Sequence, residues 1–432
     1  MIDRYTLPEM AAIWAEGRKL AAWKEVESLV LEAWVDLGVA PEEAAAAVRR
    51  APEVDPGLWK EREQVTGHDV AAFVDVLASS LDTGGEWVHH GLTSSDVLDT
   101  AAGLVLAEAV DQLLGRLTSL FSVVKRRALD HRATAMVGRT HGIWAEPTSF
   151  GLKLAGWAFE IARDHERLAR ARTAVAVGKV SGAVGTYAHT PPAIEEYVMD
   201  RLGLAVEPAS TQVVPRDRHA ELLTTIALVG SSIERFAVEL RHLQRSEVGE
   251  VMEAFTPGQK GSSSMPHKRN PIAAENLTGV SRLLRGYAVA GMEDVALWHE
   301  RDISHSSVER VALPDATILL DYALERMTRL IDGLIVDTDR MAGNLESTQG
   351  LVFSQAVLLE LVAAGHFREE AYRIVQRNAM QTWEEGGTLR DRLAADPECD
   401  LDAATLDACF SVGRFLRNTD VVFDRLSSTV LA

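Results

Sequence analysis

Cysteine is nearly absent from this 432-residue sequence. The only two, Cys399 and Cys409, both lie in an acidic C-terminal stretch. Their spacing fits neither a zinc-ligand motif nor the framework of a disulfide-rich secreted domain. We therefore expect a fold that depends on no disulfide. We also expect a protein that uses neither a metal ion nor an organic cofactor.

The sequence also lacks an excess of positive charge. It has 44 Lys and Arg residues against 63 Asp and Glu residues, which gives a net charge of −19. General binding of nucleic acid requires a basic face that neutralises phosphates, so we expect no nucleic-acid partner. Any local cluster of cations is informative in such a chain, because it opposes the field of the whole molecule.

Long uninterrupted apolar runs are missing too. A membrane span needs roughly 18 or more consecutive apolar residues, and no segment reaches that length. The first residues, Met1 to Tyr5, include charges and are not followed by the apolar segment of a signal peptide. We therefore predict a cytoplasmic protein with no membrane partner. Hydrophobic residues form 47% of the chain, enough for a sizeable core.

What the sequence has in abundance is apolar residues at helical spacing. One stripe comprises Leu106, Val110, Leu113, Leu117, Leu120 and Val124, and a second comprises Leu223, Ile226, Val229, Ile233, Phe236, Leu240 and Leu243. Helices of roughly 25 to 35 residues would exceed the usual globular length and favour a bundle whose core continues across subunits. We predict an all-α fold with three helical domains: residues 1–112, a central long-helix bundle at 113–364, and 365–432.

The segment 255–271 is the most loop-like part of the chain. Its residues 261–271, GSSSMPHKRNP, contain two prolines and three adjacent hydroxyls. From residue 259 to 271 there are three cations, Lys260, Lys268 and Arg269, and no carboxylate. A helix predicted to begin after Pro271 would add the positive end of its dipole. The pattern predicts an anion site, with a flexible serine-rich linker as the alternative.

Three other segments carry histidines that are candidates for chemistry. They are Gly67-His68-Asp69, His89 to Asp96 and Arg139-Thr140-His141-Gly142. A lone loop histidine is more often structural than catalytic. The residues from Thr93 to Asp96 also fit a helix N-cap ahead of Val97.

The run from Trp298 to Arg310 is rich in charge and hydroxyls. If it is helical, Arg301 and His305 share one face, and Ser306 and Arg310 share a neighbouring face. Paired arginines beside hydroxyls suit a phosphate or a carboxylate, whereas a solvated charged face is the alternative.

These motifs together resemble a known family. The loop Gly-Ser-Ser-x-Met-Pro-x-Lys-x-Asn-Pro is similar to the signature of the fumarase/aspartase superfamily. Within that superfamily the sequence resembles the adenylosuccinate lyase family over essentially its whole length. The matching segments are Arg4-Tyr5, Pro8-Glu9-Met10, His68-Asp69, Gly91 to Asp96, Arg139 to Gly142, Ser181 to Thr186, Pro215 to His219 and Trp298 to Arg310.

The resemblance implies an L-aspartase-like all-α fold whose central helices form a homotetramer core, with each active site shared between three subunits. It implies anti β-elimination of fumarate from adenylosuccinate, leaving AMP, and from the succinylated aminoimidazole carboxamide ribotide in purine biosynthesis. The alternatives are another fumarate-releasing lyase, such as argininosuccinate lyase, and a non-catalytic nucleotide-binding helical oligomer. Because the elimination builds a doubly charged aci-carboxylate, preorganised positive charge should dominate catalysis.

The same resemblance implies the catalytic roles. Ser262 is the base, although either of the two following serines could take its place. His141 is the general acid, oriented by Glu275. His68 is the competing candidate for the acid, or a partner near the phosphate. Lys268 belongs to the catalytic set as a source of positive charge.

The remaining implied residues bind the nucleotide substrate. Those expected around the succinyl carboxylates are Lys268, Asn270, Thr93, Ser94 and Gln212. Those expected around the nucleotide, its phosphate above all, are Arg4, Tyr5, Arg301, Ser306 and Arg310. The set is completed by Asp69, His89, Thr140 and Ser263.

Overall fold

The computed structural model describes residues 1–255, 258, 261–262 and 264–431. Helices dominate these residues, which confirms the all-α prediction. The helices are α1 (Pro8–Ile13), α2 (Glu16–Asp36), α3 (Glu42–Arg50), α4 (Pro56–Thr66), α5 (Asp69–Ser79), α6 (Ser94–Asp130), α7 (Phe150–Val175), α8 (Pro192–Leu202), α9 (Asp217–Leu243), α10 (Ile272–Glu293), α11 (Ser304–Asp332), α12 (Thr338–Glu346), α13 (Ser354–Ala363), α14 (Arg368–Glu385), α15 (Leu389–Ala395), α16 (Ala403–Cys409), α17 (Val412–Leu416) and α18 (Asp420–Ser428). Short 3₁₀ turns lie at Asp3–Tyr5, Gly85–Trp87 and Leu351–Phe353.

The long helices predicted from the apolar stripes are confirmed. Helices α6, α7, α9 and α11 contain 37, 26, 27 and 29 residues. The stripe residues on α6 and α9 are buried, as a helix that packs along one face requires. None of the described helices combines the length and the low charge of a membrane span.

Strands are few and short. They are β1 (Ala135–Thr140), β2 (Ile143–Ser149), β3 (Val177–Gly178), β4 (Ala205–Val206), β5 (Val251–Met252) and β6 (Ile335–Val336). Strands β1 and β2 pair antiparallel, β3 and β4 parallel, and β5 and β6 antiparallel. The β1–β2 hairpin was not anticipated from the sequence, because its first strand has only six residues and no regular alternation of apolar and polar side chains.

The chain divides into two compact units. The first unit consists of Met1–Thr118, Arg163–Ile233 and Thr278–Glu325, and the second unit consists of Ser119–Ala162, Glu234–Leu277 and Arg326–Ala432. The division into three domains at residues 112 and 364 stays a prediction.

An aromatic cluster organises the core of the first unit. The ring of Trp23 on α2 meets Trp59 and Phe73 edge-on, with centroids 6.0 and 5.5 Å apart. All three side chains are buried. Such edge-to-face pairs add about 0.5–1.5 kcal/mol each to the gain from burial, so the cluster fixes α2 against α4 and α5.

The core of the second unit has two parts. One is formed by residues of α13 to α16, including Val357, Ile374 and Leu393. The other joins Val137 of the β1–β2 hairpin to Val352 and Phe353. The hairpin therefore rests on an apolar base, although its tip is exposed.

A buried ion pair holds three segments of the first unit together. Lys179 and Asp96 are both 0% exposed, and Nζ donates to Asp96 Oδ1 at 2.6 Å. Nζ also donates to the carbonyls of Gly182 and Gln212. At its other oxygen, Asp96 accepts the backbone N–H of Thr93 at 2.8 Å. The pair thus ties the start of α6 to the segments around residues 182 and 212.

We predict that Lys179→Met lowers the free energy of unfolding by about 3–5 kcal/mol, because it leaves the Asp96 carboxylate buried without its cation. Urea unfolding followed by circular dichroism measures the loss. The control is Arg62→Met, which breaks a half-exposed pair with Asp75 and should cost less than about 1 kcal/mol. Equal effects of the two substitutions would contradict the central role of the buried pair.

Candidate functional site

The first unit contains a cavity of about 380 Å³ with one apolar and one charged wall. The apolar wall includes Ile13, Trp14, Trp23, Leu98, Val105 and Leu313. The polar wall includes Lys19, Asp69, Ser95, Asp99, Arg216, His219, Arg301, His305, Ser306, Glu309 and Arg310. Such a cavity can hold an apolar ring and an attached anion.

Arg310 lies at the rim of this cavity with two partners. Its guanidinium donates to Asp69 Oδ2 at 2.5 Å and to Ser306 Oγ at 3.3 Å. Burial alone would raise the pKa of Asp69, but the hydrogen bond and charge of Arg310 hold that pKa below its usual range. The guanidinium is therefore oriented, and its contact with Ser306 is the one that their spacing on a helix predicts.

Arg301 is the second oriented cation. It precedes α11, which begins at Ser304, so the predicted helical placement is wrong for this residue. Its Nε nevertheless donates to His305 Nε2 at 3.3 Å, and a terminal nitrogen donates to Gln212 Oε1 at 3.1 Å. Gln212, predicted to bind substrate, thus supports Arg301 directly.

Glu309, which was not predicted from the sequence as a site residue, binds the two histidines next to Arg301. Its carboxylate accepts from Nδ1 of His219 at 2.5 Å and from Nδ1 of His305 at 3.1 Å. Burial alone would raise the pKa of Glu309, but the charge and hydrogen bond of His219, with the neighbouring Arg216, hold it far below its usual range. Because His305 donates through Nδ1, its Nε2 is left to accept from Arg301.

Asp294 interacts with the same cluster, but its pKa is raised whereas that of Glu309 is lowered. Burial, followed by the negative charge of Glu309, raises the pKa of Asp294 to about 6. Its Oδ2 has no hydrogen-bond partner among the described residues. The proton on Asp294 therefore relieves both desolvation and repulsion.

We predict that Asp294→Asn stabilises the protein increasingly as the pH rises. Between pH 3.8 and about 6 the folded protein keeps a proton on Asp294 that the unfolded chain has released, so this group destabilises the fold as the pH rises through that window. Melting temperatures of parent and variant should diverge from pH 4 to 7 and stay apart above it. The exposed Asp82→Asn is the control. A difference that does not change with pH would contradict the prediction.

Two further histidines of the first unit, His68 and His89, lie outside the cavity wall. His68 caps α5, because its Nδ1 accepts the N–H of Ala71 at 3.3 Å. The ring proton is therefore on Nε2, which lies 3.5 Å from Ser94 Oγ. His89 contacts the Glu27 carboxylate through Nδ1 at 2.7 Å, and its pKa is raised, since the hydrogen bond and charge of Glu27 outweigh burial.

Helix α6 begins at Ser94 rather than near Val97, and one of the two bonds of a capping box is present at its start. The Asp96 carboxylate accepts the N–H of Thr93, as in a capping box. Arg4 and Tyr5 do not line the cavity: Arg4 is exposed in a 3₁₀ turn, and the Tyr5 ring packs against Tyr322 with centroids 5.0 Å apart.

The second unit carries the serine loop. Ser262 Oγ accepts the backbone N–H groups of Ser264 and Met265 at 3.3 and 3.1 Å. Two oriented N–H groups stabilise negative charge on an oxygen, so this hydroxyl is placed to become an alkoxide. Ser263 and Lys260 lie outside the described residues.

The loop closes on itself through Gly261 and Asn270. A Cβ at Gly261 would lie 2.1 Å from the carbonyl oxygen of Lys268, so only glycine fits. The Asn270 amide donates to the carbonyl of Gly261 at 3.0 Å, which leaves its second N–H for a ligand. Lys268 itself is exposed.

The N-terminus of α10 does not serve the loop as an anion site, contrary to prediction. The Glu253 carboxylate accepts the N–H groups of Ala273 and Ala274 at 3.0 and 2.9 Å. An internal carboxylate therefore already uses the positive end of this helix dipole.

Other cations strengthen the predicted anion site instead. A cavity of about 680 Å³ lies between the loop and the end of α9. Its lining includes Arg241, Arg245, Lys268 and Arg269, with Glu275 as a carboxylate. The two arginines were not anticipated because they precede the loop in the sequence, Arg241 within α9 and Arg245 just after its end.

His141 occupies the tip of the β1–β2 hairpin. Thr140 pairs with Ile143, so His141 and Gly142 form the turn, with φ of 54° and 78°. Positive φ at both turn residues matches the twist of the flanking strands. His141 and Thr140 are exposed, and no hydrogen bond joins His141 to Glu275 within the described chain. Next to the turn, Trp144 packs on Trp383 of α14, with centroids 5.7 Å apart.

Comparison with known proteins finds full-length relatives. A family model described as "Lyase" matches residues 5–286, and one described as "Adenylosuccinate lyase C-terminus" matches residues 350–426. The adenylosuccinate lyase of Bacillus subtilis (strain 168) is 49% identical over 428 residues, with 99% of each chain covered. That of Aquifex aeolicus (strain VF5) is 48% identical over 431 residues, again with 99% of each covered. A crystal structure of a fumarate lyase from Mesorhizobium sp. BNC1 matches with a TM-score of 0.90 and 26% identity, covering 99% of this chain and 100% of that one.

Proposed function

Since the chain belongs to the adenylosuccinate lyase family, we propose that it eliminates fumarate from adenylosuccinate, leaving AMP, and from the succinylated aminoimidazole carboxamide ribotide. The observation that carries this proposal is 49% identity to an adenylosuccinate lyase over 99% of both chains. Both substrates join a nucleotide phosphate to a succinyl group, and the chain offers cations for each end. We also expect the enzyme to act in the cytoplasm, as part of purine biosynthesis.

Ser262 removes the proton next to a succinyl carboxylate. The two backbone N–H groups on its Oγ, from Ser264 and Met265, favour the alkoxide. Negative charge then develops on the carboxylate, and Lys268 with the free N–H of Asn270 stabilises it. Thr93, Ser94 and Gln212 add hydrogen bonds to the succinyl group.

His141 protonates the departing nitrogen from the opposite side. An imidazole suits this step because its pKa normally lies near neutral pH. Since no hydrogen bond joins His141 to Glu275 among the described residues, we infer that Glu275 of another subunit orients it. His68 serves near the phosphate instead, because its Nδ1 is occupied in capping α5.

The first unit binds the nucleotide. The side chains of Arg301 and Arg310 are already hydrogen-bonded, Arg301 to Gln212 and His305, and Arg310 to Asp69 and Ser306. The two arginines therefore lose little conformational entropy when the phosphate binds. Asp69 and His89 of the first unit and Thr140 of the second unit complete the site. We place Arg4 and Tyr5 at its entrance.

The complete site is assembled from different subunits of a homotetramer. The phosphate-binding residues belong to the first unit, whereas Ser262, His141, Lys268 and Glu275 belong to the second. Exposure of His141 and Lys268 in one chain is consistent with contributions to a neighbour's site. Light scattering should give four times the chain mass of 47.1 kDa, and a monomeric mass would exclude this assembly.

We predict that Ser262→Ala abolishes elimination, with a loss in kcat of about 10³-fold or more, because no other group at that position can take the proton. The ultraviolet absorbance of adenylosuccinate and an assay of released fumarate measure the effect. Ser264→Ala is the matched control and should keep most of the activity. Full activity of Ser262→Ala would move the base to another serine, and no fumarate from the parent tetramer would refute the proposed function.

Mixing two inactive variants tests the shared sites. Ser262→Ala alters the second unit and Arg310→Met the first, so after dissociation and reassembly roughly one site in four should contain neither substitution. We therefore expect fumarate release to reappear in the mixture. Continued inactivity of correctly assembled mixed tetramers would mean that each site comes from a single chain.

A further inference from the structure

Lys19 lines the cavity of the first unit and is not among the residues proposed above to bind the substrate. It projects from α2, and its Nζ lies 4.2 Å from the ring centroid of Trp59 and 5.4 Å from that of Trp23. Both rings are buried in the aromatic cluster of the core. The ammonium is thus positioned by cation–π contacts with groups that cannot move easily.

The charges around Lys19 leave it without a counterion. Among the described residues, no carboxylate lies within ion-pair distance of its Nζ. Asp69, a carboxylate in the cavity wall, accepts from Arg310. Glu16 pairs with Lys60 instead. Burial lowers the pKa of Lys19; the charge of Glu16 opposes this, and that of Arg310 adds to it. An anion in the cavity would relieve both desolvation and repulsion.

We propose that Lys19 binds the phosphate of the nucleotide, as a third cation beside Arg301 and Arg310. This inference rests on the proposed function, which supplies a nucleotide with a phosphate monoester. A dianion is better matched by three cations than by two, since Asp69 already neutralises part of the charge of Arg310. Ser306, which accepts from Arg310 Nε, has a hydroxyl hydrogen left for the same phosphate.

The aromatic cluster explains why a lysine suits position 19. Two ring faces hold the ammonium without neutralising it, whereas a carboxylate partner would compete with the phosphate. The compact ammonium acts as a point charge and does not require the fixed plane of a guanidinium. The alternative is that Lys19 only packs its aliphatic stem and ammonium on the tryptophans.

The phosphate-binding role and the packing role predict different effects of Lys19→Met on the affinity for ligands with and without a phosphate. Methionine keeps an unbranched stem against the tryptophan rings and removes the charge. Isothermal titration of the assembled protein with AMP and with adenosine gives the two affinities. We expect Lys19→Met to weaken AMP binding by about tenfold or more, and adenosine binding by less than about twofold. Lys19→Arg, which keeps the charge, should recover most of the AMP affinity.

Lys60→Met is the control, because Lys60 is exposed, pairs with Glu16 and does not line the cavity. It should leave both affinities unchanged. Equal losses for AMP and adenosine in Lys19→Met, or no loss for either, would overturn the proposal. Fumarate release is assayed on the parent protein in parallel. A parent that releases no fumarate but shows the Lys19-dependent preference for AMP would refute the proposed function and leave this inference standing.

Discussion

The buried contact between Asp96 and Lys179 is the constraint on which the geometry of the first unit depends. With both side chains fully buried, the pair fixes the start of α6, the segment at residues 181–182 and the carbonyl of Gln212. Gln212 in turn orients Arg301 through its side chain. Arg301, the cation proposed to bind the phosphate, is therefore held by a chain of contacts that begins in the core. Buried charges of this kind are costly to break, which makes the arrangement rigid.

In the proposed mechanism the two units contribute different groups to the elimination. The first unit contains a cavity with an apolar wall and oriented cations, which suits a nucleotide. The second unit contains a serine hydroxyl with two N–H donors and a histidine at the tip of a hairpin. Neither unit alone has both the phosphate-binding groups and the acid–base groups. In the proposed homotetramer, different subunits supply these two sets of groups to each site.

Much of the fold was predictable because helical periodicity is a local signal. The stripes on α6 and α9, and the contact of Ser306 with Arg310, follow from spacing along one helix. Contacts between distant segments were not predictable: Glu309 meets a histidine 90 residues away, and Glu253 caps a helix that begins about 20 residues later. The turn at His141 was missed as well, since positive φ at a histidine is uncommon.

A cryo-electron microscopy structure of the Ser262→Ala protein with adenylosuccinate bound would locate both ends of the substrate. We expect the phosphate in the cavity of one chain, beside Arg301 and Arg310. We expect the succinyl group against the 261–271 loop of a second chain, with the His141 hairpin of a third near the nitrogen. A substrate whose phosphate and succinyl group are both bound by one chain, or whose phosphate lies outside the cavity, would contradict the proposed arrangement.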